Sequence, residues 1–246
     1  MDPPIVAVGA SYNWMQMAFC MEGSGPTVAL LQGGPGLSSA SLVPAAELLR
    51  EEFRVVRFDH VASTVAGLVH GIEKVRVVLG EEQWFVLGHG WGAAIAALYA
   101  AKFPERTKGL VLVHPLEIAS EFCAAGDSSS ESATPATNDP FAQEYAADVA
   151  EALWEDLQAA YPDTAAEGYD LRPVARRIAR RGLVLLGEND GIDRRSGDLW
   201  AELMGARLVS LPDAGRWSFV EQPCAFRTAV REFLLAQAAR RSMAAV

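Results

Sequence analysis

The segment Gly88-His89-Gly90-Trp91-Gly92 decides the fold of this chain. It joins an apolar, strand-like run at residues 84–87 to an alanine-rich, helical run at residues 93–103. Glycines in this pattern allow a sharp strand-to-helix turn, which in the form G-x-S-x-G exposes a nucleophilic serine at its centre. The central residue here is Gly90, so the sequence predicts that the turn is kept while its nucleophile is lost.

Around this turn, short β-branched or aromatic runs alternate with longer runs of helical spacing. Strands separated by crossover helices predict an α/β fold, a mostly parallel sheet flanked by helices. The alternation stops between residues 116 and 172, and the stretch 124–138, which is poor in bulky apolar residues, predicts a short or partly disordered cap. We therefore expect a core over 1–115 and 173–246 with a reduced cap insertion at 116–172. The predicted strands are 5–8, 14–20, 27–32, 54–59, 84–87, 109–114, 182–187 and 207–211, and the predicted helices are about 40–52, 65–79, 93–103, 141–161, 196–203 and 222–240.

Composition limits the partners and the cellular compartment. The chain has 246 residues, is 50% hydrophobic and carries a formal net charge of −10, which argues against nucleic acid or an anionic membrane as partner. Its three cysteines (Cys20, Cys123 and Cys224) are scattered, as in reduced compartments. No signal-like N-terminus or membrane-length apolar run is present, so we expect a cytoplasmic protein. Arginine far outnumbers lysine, which suggests a bacterial source.

A set of short motifs resembles the α/β-hydrolase superfamily over nearly the whole chain, and most of all its proline-iminopeptidase branch. The resemblance implies an α/β-hydrolase fold. The motifs are Gly33-Gly34-Pro35-Gly36, the Gly88–Gly92 turn, Phe103-Pro104-Glu105-Arg106, Gly187-Glu188-Asn189-Asp190, and Gly215-Arg216-Trp217 followed by Glu221-Gln222-Pro223.

The same resemblance shows which catalytic positions have changed. It puts the family's nucleophile at Gly90, its acid at Asp190 and its base at Arg216, and the histidine that leads the family's glycine loop is Gln32. Arginine stays protonated and cannot act as a base. Because His114 is the last histidine of the chain, none follows the acid in the order Ser, Asp, His. The sequence therefore predicts a protein that is not an ordinary serine hydrolase.

Backbone groups could still support chemistry at this site. The resemblance implies an oxyanion hole built from the N–H of Trp91 and from Gly33 or Gly34. With Asp190 and His114, these residues form the predicted catalytic set. His60 and His114 end strands on the edge where ligands bind in α/β sheets, although either could instead be structural. Arg216 and Asp190 could form a structural pair, or Arg216 could bind an anionic group. The predicted substrate-binding residues are Gln32, Pro35, His89, Arg216 and Trp217.

One basic feature stands out against the acidic background. Arg172, Arg176 and Arg180 recur every four residues, which on a helix would form a stripe. Such a stripe is either a solvated face or a docking surface for an acidic partner, such as an acyl carrier protein or the phosphates of coenzyme A. No cluster of residues has the spacing of metal ligands and no phosphate-binding loop is present, so no metal or cofactor is expected.

Three functions remain open. The favoured one is an acyltransferase of natural-product biosynthesis, a role that relatives of the fold imply. It would move an acyl group from a carrier-protein or coenzyme A thioester to a small-molecule or peptide acceptor, a reaction that needs positioning and an oxyanion hole more than an activated serine. The alternatives are a non-catalytic binding protein, in which Gly90 makes room for a ligand, and a lyase, cyclase or isomerase that stabilises an enolate, with His60 or His114 as base.

Overall fold

A seven-stranded sheet with helices on both faces organises the structure, a computed structural model that describes residues 10–12, 15–17, 19–34, 37–59, 62–122, 147–163, 168–178, 182–191 and 193–244. The strands run in the order β3-β5-β4-β6-β7-β8-β9, and all neighbours are parallel except the antiparallel pair β3 and β5. The short strands β1 and β2 form a separate antiparallel pair. The strands are β1 (Ala10–Tyr12), β2 (Met15–Met17), β3 (Phe19–Glu22), β4 (Thr27–Leu31), β5 (Arg54–Phe58), β6 (Trp84–His89), β7 (Thr107–Val113), β8 (Gly182–Gly187) and β9 (Arg207–Leu211).

Two layers of helices cover this sheet. One apolar core unites alternate strand residues with α2, α3 and α6, and the other unites the opposite strand residues with α1 and α8. Central strands such as β4 and β6 are buried along their whole length, which explains their continuous apolar sequences. The helices are α1 (Val43–Leu49), α2 (Val65–Val78), α3 (Trp91–Lys102), α4 (Ala147–Ala160), α5 (Arg172–Ala175), α6 (Arg194–Met204), α7 (Ser218–Glu221) and α8 (Pro223–Ala244).

The predicted elements match this architecture closely, with four qualifications. The predicted strand 14–20 is divided between two sheets, because β2 (Met15–Met17) pairs with β1 whereas β3 (Phe19–Glu22) pairs with β5. The helix expected from about residue 40 begins as a 3-10 turn over Ser39–Leu42, and α1 starts only at Val43. The predicted strand 5–8 and the low-hydrophobicity stretch 124–138 lie outside the described residues. Because much of 116–172 is also outside them, the division into core and cap stays a prediction.

The basic stripe is the prediction that the structure changes most. The helix α5 ends at Ala175 with Arg176 as its C-cap, whose N–H bonds to the Arg172 carbonyl, so these two residues are one turn apart but the helix does not continue beyond them. Arg172 forms ion pairs with Glu121 (2.5 Å) and Asp170 (2.9 Å), which neutralise its charge. Arg176 is exposed, whereas Arg180 lies outside the described residues. A continuous three-arginine stripe is therefore not formed by the described part of the chain.

Candidate active site

The carboxyl ends of the parallel strands bring the candidate residues to one edge of the sheet. Gly33 follows β4, the glycine turn follows β6 and His114 follows β7. Asp190 follows β8 after a short turn, and Arg216 and Ser218 lie between β9 and α8. Ligands of open α/β sheets bind at this edge. The fold thus assembles most of the predicted site, together with one residue that the sequence analysis did not select, Ser218.

The glycine turn keeps its sharp backbone geometry. A Cβ added to Gly88 would overlap the backbone of Gly92, and one added to Gly92 would overlap the carbonyl oxygens of Leu31 and Gln32. Gly90 has φ +52° and ψ −117°, a backbone conformation that residues other than glycine rarely adopt. Steric necessity therefore accounts for Gly88 and Gly92 without reference to catalysis, whereas Gly90 lies at the centre of the turn, where the G-x-S-x-G form carries its serine.

The glycine loop after β4 occupies the space above Gly90. The Gly33 carbonyl oxygen accepts a hydrogen bond from the Trp91 N–H at 3.0 Å. That oxygen would lie 2.7 Å from a Cβ at position 90, where a nucleophile's side chain would begin. This arrangement departs from the expectation that the Trp91 N–H is available to an oxyanion. An oxyanion hole formed by Trp91 with Gly33 or Gly34 would first require that carbonyl to move.

His89 is part of the packing beneath the turn. Its side chain is 1% exposed, its ring packs on Trp217 and Phe219 with centroids 4.6 and 5.3 Å away, and its Nε2–H donates to the Arg216 carbonyl at 2.9 Å. Burial, together with the nearby His114, lowers the pKa of His89 to about 3, so the ring is neutral at neutral pH. His89 therefore connects the glycine turn to the segment that carries Arg216 and the buried Trp217, and the substrate-binding role of His89 and Trp217 stays a prediction.

The remaining predicted substrate-binding residues are Gln32, Pro35 and Arg216, and they differ in exposure. Gln32 is 3% exposed, and its Oε1 has no hydrogen-bond partner among the described residues. Pro35 lies outside the described part of the chain, as does His60. Of this group, Arg216 is the residue whose side chain reaches the surface, with 20% of it exposed.

The three side chains of His114, Asp190 and Ser218 form a hydrogen-bonded row. The Nδ1 of His114 lies 2.7 Å from Asp190 Oδ2, and its Nε2 lies 2.8 Å from Ser218 Oγ. The side chains of His114 and Asp190 are 0% and 3% exposed, and Ser218 is completely buried. We call this row the His114 relay. Its connectivity, hydroxyl to imidazole to carboxylate, is that of a serine nucleophile with its base and acid.

The backbone holds His114 in an unusual conformation. Its φ is +46°, although it is not glycine and precedes Pro115, a position that disfavours helical backbone angles. The His114 N–H donates to the Leu185 carbonyl at 2.8 Å, which fixes the residue to the neighbouring strand β8. Sparsely populated backbone conformations cluster at functional sites, because the surrounding structure must hold them in place. The strain therefore supports a functional interpretation of this histidine.

Two charged residues border the relay. The Arg216 Nε lies 3.8 Å from Asp190 Oδ1, so these two residues form a long ion pair. Glu117, which the sequence analysis did not select, lies close enough to interact electrostatically with both, and burial raises the pKa of its carboxyl. The position that the resemblance gives to the family's base is thus a cation, Arg216, while the imidazole of His114, which follows β7, contacts Asp190.

The fold defines the class of this protein, the family of the α/β-hydrolase fold. The family model for the alpha/beta hydrolase fold matches residues 26–153, more than half of the chain, and the chain belongs to that family. The chain is 38% identical over 100 residues to the proline iminopeptidase of Neisseria gonorrhoeae, a match that covers 36% of this chain and 32% of that protein. The match therefore spans about a third of the length of this curated relative.

Solved structures agree on the architecture. A hydrolase from Pseudomonas aeruginosa PA01 superposes with a TM-score of 0.65 at 25% identity, covering 89% of this chain and 94% of that one. VinJ superposes with a TM-score of 0.73 at 16% identity, covering 96% and 100%. Within the described residues, no helix is long and apolar enough to cross a membrane. In the same part of the chain, no three His, Cys, Asp or Glu residues group as a metal site.

Proposed function

We propose that this protein is an acyltransferase that accepts acyl thioesters, with His114 as general base and Asp190 as the residue that orients it. The observation that supports this most is the 2.7 Å contact between His114 Nδ1 and Asp190 Oδ2. A carboxylate in this position keeps the imidazole in the tautomer whose Nε2 can accept a proton, and it stabilises the imidazolium that then forms. His114 and Asp190 were both in the predicted catalytic set.

Arg216, and not the backbone N–H groups of the glycine turn, stabilises the oxyanion in this proposal. With the Trp91 N–H bonded to Gly33, a partly exposed guanidinium beside Asp190 is the positive group best placed to stabilise a developing oxyanion. A cation is effective in this role because transition-state charge in a water-poor site interacts strongly with fixed charges. Thioesters of an acyl carrier protein or coenzyme A are the proposed donors, and a thiol or amine is the proposed acceptor.

Mass spectrometry tests this function directly. Carrier-bound and coenzyme A thioesters are incubated with the protein, with and without a cysteine-containing peptide as acceptor. We expect acceptor-dependent transfer, slowed at least about 100-fold in His114→Gln, because general base catalysis contributes about 10²–10⁴-fold. His70→Gln, on an exposed site of α2, is the matched control and should keep wild-type rates. Equal rates in His114→Gln and wild type, or no turnover across the panel, would contradict the proposal.

A non-catalytic binding protein is the second candidate, and one observation favours it. The Gly33 carbonyl oxygen would lie 2.7 Å from a Cβ at position 90, as expected where the elbow does not take part in catalysis. In that case the thioesters would bind without turnover. Calorimetric binding of a thioester that is neither transferred nor hydrolysed would favour this alternative.

A further inference from the structure

His114 has no free ring nitrogen. Asp190 contacts Nδ1, Ser218 contacts Nε2, and the side chain is 0% exposed. A base accepts a proton only from a group within hydrogen-bond reach, about 2.6–3.2 Å. In this structure the group that Nε2 can deprotonate is therefore the Ser218 hydroxyl.

The direction of these hydrogen bonds is set by the carboxylate. Asp190 can only accept when ionised, so Nδ1 carries the hydrogen and Nε2 presents a lone pair to Ser218 Oγ–H. The Gly187 N–H also lies 3.3 Å from Nδ1, but the 2.7 Å contact with a carboxylate is shorter and charge-assisted. Ser218 is thus the donor, and its oxygen is the atom that becomes more nucleophilic.

We propose that Ser218 is the nucleophile of this site, an assignment that rests on the proposed acyl transfer and goes beyond it. The nucleophile has moved from the elbow to the start of α7, and the base has moved from position 216 to the end of β7. The chain order becomes His, Asp, Ser. That order differs from the Ser, Asp, His of the hydrolases that share this fold and equals that of the chymotrypsin class, which shows that one geometry is compatible with several orders.

The reaction balances in two steps. In the first, Ser218 Oγ bonds to the acyl carbon, its proton passes to His114 Nε2, and the carbon–sulfur bond breaks as that proton is delivered to the leaving thiolate. In the second, the acceptor's thiol or amine gives its proton to His114 and bonds to the acyl carbon. The ester bond to Ser218 then breaks, and Oγ regains the proton. The products are a free thiol and an acylated acceptor.

Access to Ser218 requires its segment to open. The Ser218 side chain is completely buried, and Glu221 holds the turn by accepting hydrogen bonds from the Gly215 and Trp217 N–H groups. Arg216, two residues away, is already partly exposed. Acylation should therefore be slow and should favour small reagents.

The test is labelling of the full chain with a small alkyl fluorophosphonate, a reagent for activated serines. After trypsin digestion, Ser218 is the one serine in the peptide Trp217–Arg227. We expect phosphonylation of that peptide in the wild type, none in Ser218→Ala, at least about a 100-fold slower rate in His114→Gln or Asp190→Asn, and no change in His70→Gln. An unlabelled peptide in the folded wild type, or wild-type labelling in His114→Gln, would overturn the assignment.

Failure of this assignment can be told apart from failure of the proposed function. If Ser218→Ala transfers acyl groups at the wild-type rate, Ser218 is not the nucleophile, whereas acyl transfer stands. If Ser218 is labelled in a His114-dependent manner but no thioester reacts, the nucleophile stands and the thioester function is wrong.

Discussion

The glycine elbow and the His114 relay lie side by side at the same edge of the sheet, yet they are specified in opposite ways. The elbow is defined by backbone geometry, because Gly88 and Gly92 have no room for a Cβ and Gly90 has a positive φ. The relay is defined by side chains that come from β7, from the loop after β8 and from α7. A sharp turn can thus be maintained by its backbone when its central residue has no side chain. A row of hydrogen-bonded side chains can, in contrast, be assembled from elements that are distant in sequence.

The largest effect should come from filling the elbow. Gly92→Ala places a Cβ against the carbonyl oxygens of Leu31, the last residue of the central strand β4, and of Gln32, which follows it, so relief of the overlap would disturb that strand. We expect a loss of at least about 4 kcal/mol in the free energy of unfolding, measured by urea denaturation. Gly80→Ala is the control: its Cβ meets no atom within 4 Å, so only the positive φ should cost about 1 kcal/mol. Similar losses in the two variants would contradict the steric account.

Restoring the family's serine is the second way to test the contrast. Gly90→Ser combines a positive φ with a Cβ 2.7 Å from the Gly33 carbonyl oxygen, so we expect a loss of about 2–3 kcal/mol. We also expect no gain in ester hydrolysis, because the relay that would activate a serine is directed at Ser218. A p-nitrophenyl ester assay and a denaturation curve measure both outcomes. A large gain in hydrolysis would show that the elbow remains the catalytic position.

The histidine beneath the elbow provides a pH-dependent test. Burial lowers the pKa of His89 to about 3 in the folded protein, against about 6.5 when unfolded. Between these values the unfolded state binds the proton and the folded state does not, so stability falls as the pH decreases from about 6.5 towards 3. From pH 7 to 5 this group should account for a loss of about 2 kcal/mol. His89→Gln should lose about 2 kcal/mol less over that interval, as urea denaturation at both pH values would show; parallel losses would mean that His89 does not titrate this way.

The smallest effect on stability is expected away from both regions. Arg176 and Arg177 are exposed after α5, and Arg176→Glu with Arg177→Glu should change the free energy of unfolding by no more than about 0.5 kcal/mol. If these arginines dock an acidic carrier protein, the double variant should slow transfer from the carrier-bound thioester. Transfer from a short synthetic thioester should not change. Equal effects on the two donors would exclude a docking role.

Much of the fold was predictable because its signals are local. Apolar runs bounded by glycines and prolines predicted β4 to β9, and the glycine pattern predicted the turn before α3. The basic stripe was predicted less well, because a four-residue spacing implies one face only if the helix continues, and α5 ends at Ala175. Helix ends depend on neighbouring structure more than on spacing.

Only part of the site could be predicted, because some of its residues have local sequence signals and others do not. Asp190 and Arg216 were found through family motifs, and His114 through its place at a strand end. Ser218 was missed because the search for a triad followed the family's order, in which a histidine comes last. The available signal was weak: a single small polar residue in the apolar stretch from Trp217 to Val220, two residues after the altered base position. Hydrogen bonding between residues 104 positions apart has no local signature.

The Gly33 carbonyl has a consequence for how position 90 can evolve, because it limits the space for a side chain there. The Gly33 carbonyl accepts a hydrogen bond from the Trp91 N–H, and its oxygen would lie 2.7 Å from a Cβ at position 90. A single codon change back to serine would now meet an occupied space, so reversal needs a second change that moves the loop at the same moment. We therefore expect evolution at this position to be hard to reverse: further adaptation should start from glycine at position 90 and should not return to serine by a single substitution.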